Sequence, residues 1–179
     1  MKGIVFNLLE EAVSKEFGEA TWDRLLDDAG LDGAYTSLGS YDDAEVVRLV
    51  EVASKALNIP PQDVLRWFGR RAMPLLHARY PSFFATHAST RSFLLTLNSL
   101  IHPEVRKLYP GATPPVFDFD TSDSETLIVG YNSARRLCAL AEGFMQGAAE
   151  HYHEEAQIRQ SECMHDGAGK CVFHVSFKP

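Results

Sequence analysis

The chain has 179 residues, 45% of them apolar and 23% charged, which suits one domain with a substantial core and excludes a disordered chain. With 17 basic residues against 24 acidic ones the formal charge is −7, so a nucleic-acid binder, which carries a basic footprint, is not expected. Three cysteines are too few for a secreted disulfide framework, and a reducing, cytoplasmic setting is expected.

Val5, Leu8, Leu9, Ala12 and Val13 recur at helical spacing, and Gly18 stops that helix. Glu10 and Glu11 interrupt the apolar stretch, so no signal peptide is expected. No segment approaches the ~18 apolar residues of a membrane helix. Trp22, Leu25 and Leu26 mark a second helix, closed by Gly30. Asp42 and Glu45 form a capping-box pattern ahead of Val46, Leu49, Val50 and Leu57. Pro61 suits the first position of the next helix, with Val64, Leu65 and Phe68 on its apolar face. A further helix is expected over 71–79, kinked or started at Pro74. Ser89 or Thr90 then caps a helix running to Tyr109, striped by Phe93, Leu94, Leu97, Leu100 and Ile101.

After Gly111 the pattern changes to that of a small sheet. Val116, Phe117 and Phe119 lead one strand, and Leu127, Val129 and Tyr131 alternate in the next, with a turn at 121–124 between them. A helix is expected from about Arg135 to Glu150, then strands over 155–162 and 170–177. The expected fold is α+β: a single domain over 1–179, with a helical part (1–110) packed on an antiparallel ββαββ part (111–179) around one core.

Three features could carry chemistry. His102 ends an apolar helix face, and a neutral imidazole is the commonest metal ligand and the usual proximal ligand of heme iron; the alternative is a core histidine bonded to a carbonyl. Tyr131, Ser133 and Arg135 alternate in an extended segment and so share a side. They offer a phenol, a hydroxyl and a guanidinium near the start of a helix, an anion clamp or else a salt-bridged strand-to-helix junction. Cys138, Cys163 and Cys171, with His165 in the same turn, could hold zinc or stand as three buried thiols.

Together these residues resemble the H-NOX family, the heme–nitric oxide/oxygen binding domains, over essentially the whole chain. The family's Tyr-x-Ser-x-Arg motif is present as Tyr131, Ser133 and Arg135, its proximal histidine falls on His102, and Gly111-Ala112-Thr113-Pro114-Pro115 matches the segment that lays a proline on the porphyrin. The resemblance implies heme b ligated by His102, propionates held by the motif, and Pro115 distorting the ring. It makes Val5, Leu9, Met73, Leu76, Leu140 and Phe144 the expected walls on the gas side. Family members that hold oxygen carry a tyrosine where this chain has Leu140, so NO and CO are the expected ligands and O2 is disfavoured; Tyr80 and Tyr152 are the other hydroxyls that could reach the pocket. NO is expected to weaken the iron–His102 bond and displace the helix bearing it.

No kinase, cyclase or methyl-accepting segment accompanies the domain, so the family analogy implies an effector in trans, a sensor histidine kinase or a cyclic-di-GMP enzyme. Some bacterial relatives hold zinc on three cysteines and a histidine. Cys138, Cys163 and Cys171 match the cysteines, but Gln160 stands at the histidine's position, which leaves His165 as the substitute. The competing function is a zinc or thiol redox sensor built on the cysteine trio. An enzyme is not expected: nucleophile elbow, phosphate loop, HExxH and paired carboxylates are all missing from the sequence.

Overall fold

The computed structural model describes residues 1–178. Four helices open the chain: α1 (Gly3–Phe17), α2 (Glu19–Ala29), α3 (Asp43–Leu57) and α4 (Pro61–Arg79). Gly18 and Gly30 end the first two with φ of 89° and 64°, backbone that residues with a Cβ avoid. Asp42 caps α3 by accepting the Ala44 N–H at 2.9 Å. The expected capping box is not closed. Glu45 turns instead to the Tyr35 hydroxyl, which donates to it at 2.8 Å from the loop folded back beside α3.

Helix α4 runs unbroken through Pro74, so no new helix starts there. Proline there lacks an N–H and strands the Arg70 carbonyl. That carbonyl faces Gly147 of α7 (Cys138–His151), which lies close along α4. A Cβ on Gly69 would collide with the Leu140 carbonyl, and one on Gly143 with the Arg66 carbonyl. Two backbones thus meet with no side chain between them.

The segment 89–109 is three pieces rather than one helix: α5 (Thr90–Leu94), a π-helical turn (Leu97–Ile101) and α6 (His102–Leu108). Pro103 explains the interruption. In a continuous α-helix its ring would press on the Ser99 carbonyl, and the wider π turn absorbs the mismatch. Ser89 caps α5 in a closed box with Ser92.

The strands are β1 (Val116–Asp120), β2 (Thr126–Asn132), β3 (Glu155–Glu162) and β4 (Cys171–Lys178), in the order β1-β2-β4-β3 and antiparallel throughout. Leu127, Val129, Cys171, Phe173 and Val175 face inward, as their alternation predicts, and pack against Ala141, Met145 and Ala148 of α7. Helix α7 starts at Cys138, three residues after the expected Arg135, because Arg136 sits in left-handed backbone at φ 52°.

The fold is the expected α+β arrangement of a helical part on an antiparallel sheet. Its core, expected to be single, is divided. One apolar cluster joins the sheet, α7, Phe84, Phe93 and Ile101; a second joins α1–α4 with Leu140. An apolar cavity lies against both, lined by Ile101 and Met145 of the first cluster and by Leu8 and Phe68 of the second.

Candidate functional site

The cavity measures about 560 Å³, within the roughly 300–1,000 Å³ of small-molecule and cofactor pockets. Val5, Met73, Leu76, Leu140 and Phe144 all line it. Leu9 does not; it packs into the helical cluster, and Leu8 takes its place on the wall. The cause is helical phase: each residue advances about 100°, so Leu9 is turned away from the face that Ile4 and Leu8 present.

His102 opens α6 and its ring borders the cavity. Its Nδ1 is buried and has no hydrogen-bond partner. Burial, and then the charge of Arg106, push its pKa down to about 4, with the Pro115 backbone acting the other way. The imidazole is therefore neutral near pH 7, the form that ligates metals. Its segment is anchored by Asn98, which donates through Nδ2 to the Phe117 carbonyl at 2.5 Å and accepts the Phe117 N–H through Oδ1 at 3.2 Å. That clasp pins the π turn to β1 as a strand would. Sequence reading missed Asn98, because its partner is 19 residues away.

Tyr131, Ser133 and Arg135 border the same cavity, with Pro115. The Tyr131 hydroxyl accepts the Leu137 N–H at 3.1 Å, and Ser133 Oγ accepts the Arg135 N–H at 3.3 Å. Arg135 lies in the turn before α7, not at the helix start. Its Nε donates to Asp43 at 2.9 Å, and Nη1 donates to the Thr113 carbonyl and hydroxyl, each at 2.8 Å. Asp43 also accepts from the N-terminal ammonium at 2.5 Å. Burial alone would raise the Asp43 pKa, but the ammonium and Arg135 outweigh it and hold the carboxyl below its ordinary value. The first residue, α3 and the β2–α7 turn are thus tied at one carboxylate, a role that no local pattern around Asp43 signals.

The tyrosine hydroxyls left open by the sequence are both engaged. Tyr80 is hydrogen-bonded to the Tyr109 hydroxyl, at the edge of the cavity. Tyr152 donates to the Phe84 carbonyl at 3.1 Å and does not line the cavity.

The family model for haem-NO-binding domains matches residues 2–160. The chain belongs to the H-NOX family. This heme-based gas-sensor family consists of sensor domains, not enzymes. An H-NOX protein from S. oneidensis, solved in the Fe(II)NO state, is 34% identical with a TM-score of 0.93, each chain covered over 100% of its length. An H-NOX from Shewanella woodyi, solved bound to IWP-051 in the Fe(II)CO state, is 33% identical with a TM-score of 0.83, covering 100% of this chain and 95% of that one. An oxygen-binding H-NOX domain related to soluble guanylate cyclases shares the fold at 24% identity and a TM-score of 0.84, covering 100% of this chain and 96% of that one.

The H-NOX cavity fits the family's heme on its own geometry: apolar walls, a half-buried imidazole with a buried, unpartnered nitrogen, and a guanidinium with hydroxyls at one edge. The zinc set fits less well. Cys138, Cys163 and Cys171 bring their sulfurs within 4.8 Å of one another. His165 stands outside that group, its Nε2 bonded to the Arg136 carbonyl at 2.8 Å, and Gln160 donates to the Glu162 carbonyl at 3.0 Å. Among the described residues no histidine, aspartate or glutamate completes the trio. No helix is long and apolar enough to cross a membrane among those residues.

Proposed function

We propose that this H-NOX chain is a cytoplasmic sensor of NO, with CO as a second ligand, that disfavours O2 and signals to a separate effector, a histidine kinase or a cyclic-di-GMP enzyme. The observation that carries the reading is the His102 ring, its Nδ1 buried and without a partner, beside an apolar cavity that Arg135 borders. His102 is the residue to ligate the iron of heme b. Arg135, Ser133 and Tyr131 are the residues to hold the propionates, and Pro115 is the one to press on the ring. When bound, the heme supplies a ferrous iron with one position open to a diatomic gas.

The chain's own residues set the selectivity. Bound O2 draws electron density and is held by a hydrogen-bond donor; NO needs none, because its bond to ferrous iron dominates. Leu140, Val5, Met73, Leu76 and Phe144 carry no donor, and the Tyr80 hydroxyl is already bonded to Tyr109. Solvated hydroxyls and charges are excluded from that wall, since an unpaired polar group there costs about 1–3 kcal/mol. Output follows from the way α6 is mounted. It is short and carries His102 at its start; the Asn98 clasp ties the turn before it to β1, and the Tyr109 hydroxyl ties its far end to Tyr80, just after α4. A shift of His102 is therefore delivered to the α6 surface.

Absorption spectra of the reduced protein test this. The expected result is a Soret shift with NO and none that persists in air; a stable oxygen complex in air overturns the selectivity. His102→Gly should abolish heme retention, and added imidazole should restore it. Retention without imidazole would remove His102 from its role.

A further inference from the structure

We infer that Cys138, Cys163 and Cys171 form a three-thiol site for a trigonal thiophilic centre, arsenic(III), rather than a tetrahedral zinc site. The heme reading plays no part in this. The three sulfurs come from separate places: the first turn of α7, the residue just after β3 and the start of β4. They lie within 4.8 Å of one another, with Cys138 and Cys163 at 4.0 Å. The turn at Gly167, φ 92°, folds Cys163 back against Cys171, and the Met164 N–H donates to the Cys171 sulfur at 3.3 Å. Cys138 and Cys171 are buried, and Cys163 is half-buried and gives a way in.

Two features separate the candidate ions. A closed structural zinc site takes four protein donors, and here the fourth is missing: Gln160 and His165 are turned to backbone carbonyls. Charge decides as strongly. Cys138 and Cys171 are buried, and the three sulfurs crowd one another. Among the described residues neither a lysine nor an arginine side chain hydrogen-bonds to any of the three sulfurs. Three thiolates on Zn(II) would leave a net negative charge at a site where two of the three sulfurs are buried, which burial penalises. Arsenous acid avoids this. As(OH)3 and three thiols give As(S-Cys)3 and three waters; each S–H proton leaves on a hydroxide, arsenic stays trivalent, and reactants and products are all neutral. Soft thiolates also favour a soft centre.

The test uses the full chain as purified, stripped of zinc and held under a phosphine reductant. Sodium arsenite should bind at one arsenic per chain by native mass spectrometry and protect all three cysteines from iodoacetamide. Cys163→Ser, at the half-exposed position, should weaken arsenite binding by more than the roughly 10–100-fold that losing a supporting contact costs at a metal site. Protection of two cysteines or fewer overturns the inference, as does equal binding by a folded Cys163→Ser chain. So does equimolar zinc that displaces arsenite. The wild-type arms decide the matter even where the variant fails to fold.

Discussion

Asn98 does the work of a strand with one side chain. Its amide bonds both the N–H and the carbonyl of Phe117, two groups at the open edge of β1. Removing it leaves those groups half-buried and unpaired, at a cost of about 1–3 kcal/mol. Asn98→Ala should lower the denaturant midpoint accordingly and speed heme loss to apomyoglobin, because His102 follows in the same segment. Unchanged heme loss with lowered stability would separate the clasp from the ligand. Leu140 tests the opposite side. Leu140→Tyr places a hydroxyl on a wall that has no free one, and the reduced variant should hold O2 in air, read from its absorption spectrum.

At the scale of elements, the contact of α4 with α7 governs the shape of the cavity. Gly69 and Gly143 let the two backbones touch, and Leu140 and Phe144 project from that seam into the pocket. A methyl at Gly143 meets the Arg66 backbone, which cannot step aside. Gly143→Ala should therefore destabilise by about 1–3 kcal/mol, the range for overpacking, despite alanine's better helix propensity. Thermal unfolding of the variant checks the sign. Sequence patterning made α1–α3 and the four strands legible, since periods of 3.6 and 2 need only local residues. The glycine seam was not legible, because its meaning lies in a helix some 70 residues away. Pro74 misled too: read locally it starts a new helix, but α4 runs on through it. The site was half legible. His102 and the Tyr131–Arg135 motif stood out by residue type, whereas Asp43 and Asn98 are ordinary residues given a role only by distant partners. Leu9 and Leu8 differ by one helical step, finer than periodicity resolves.

Over the whole molecule, Asp43 gathers the N-terminus, α3 and the β2–α7 turn. Its folded pKa lies below the ordinary carboxylate value of about 3.9. The unfolded chain thus takes up the proton first. The stability this provides is complete above the ordinary value and is lost as pH falls through the lower, folded one. Asp43→Asn should flatten the acid end of the stability profile and leave a smaller salt dependence near neutrality, both measured by urea unfolding. An identical acid slope in the variant would show that the tie contributes nothing.

The divided interior has a consequence for the living cell. Two apolar clusters that border one cavity are stabilised together by a molecule bound in it, because a guest held only by the folded chain adds its own binding free energy to folding. The folded fraction of this chain should then rise with the supply of iron porphyrin, which thermal unfolding with and without added hemin measures.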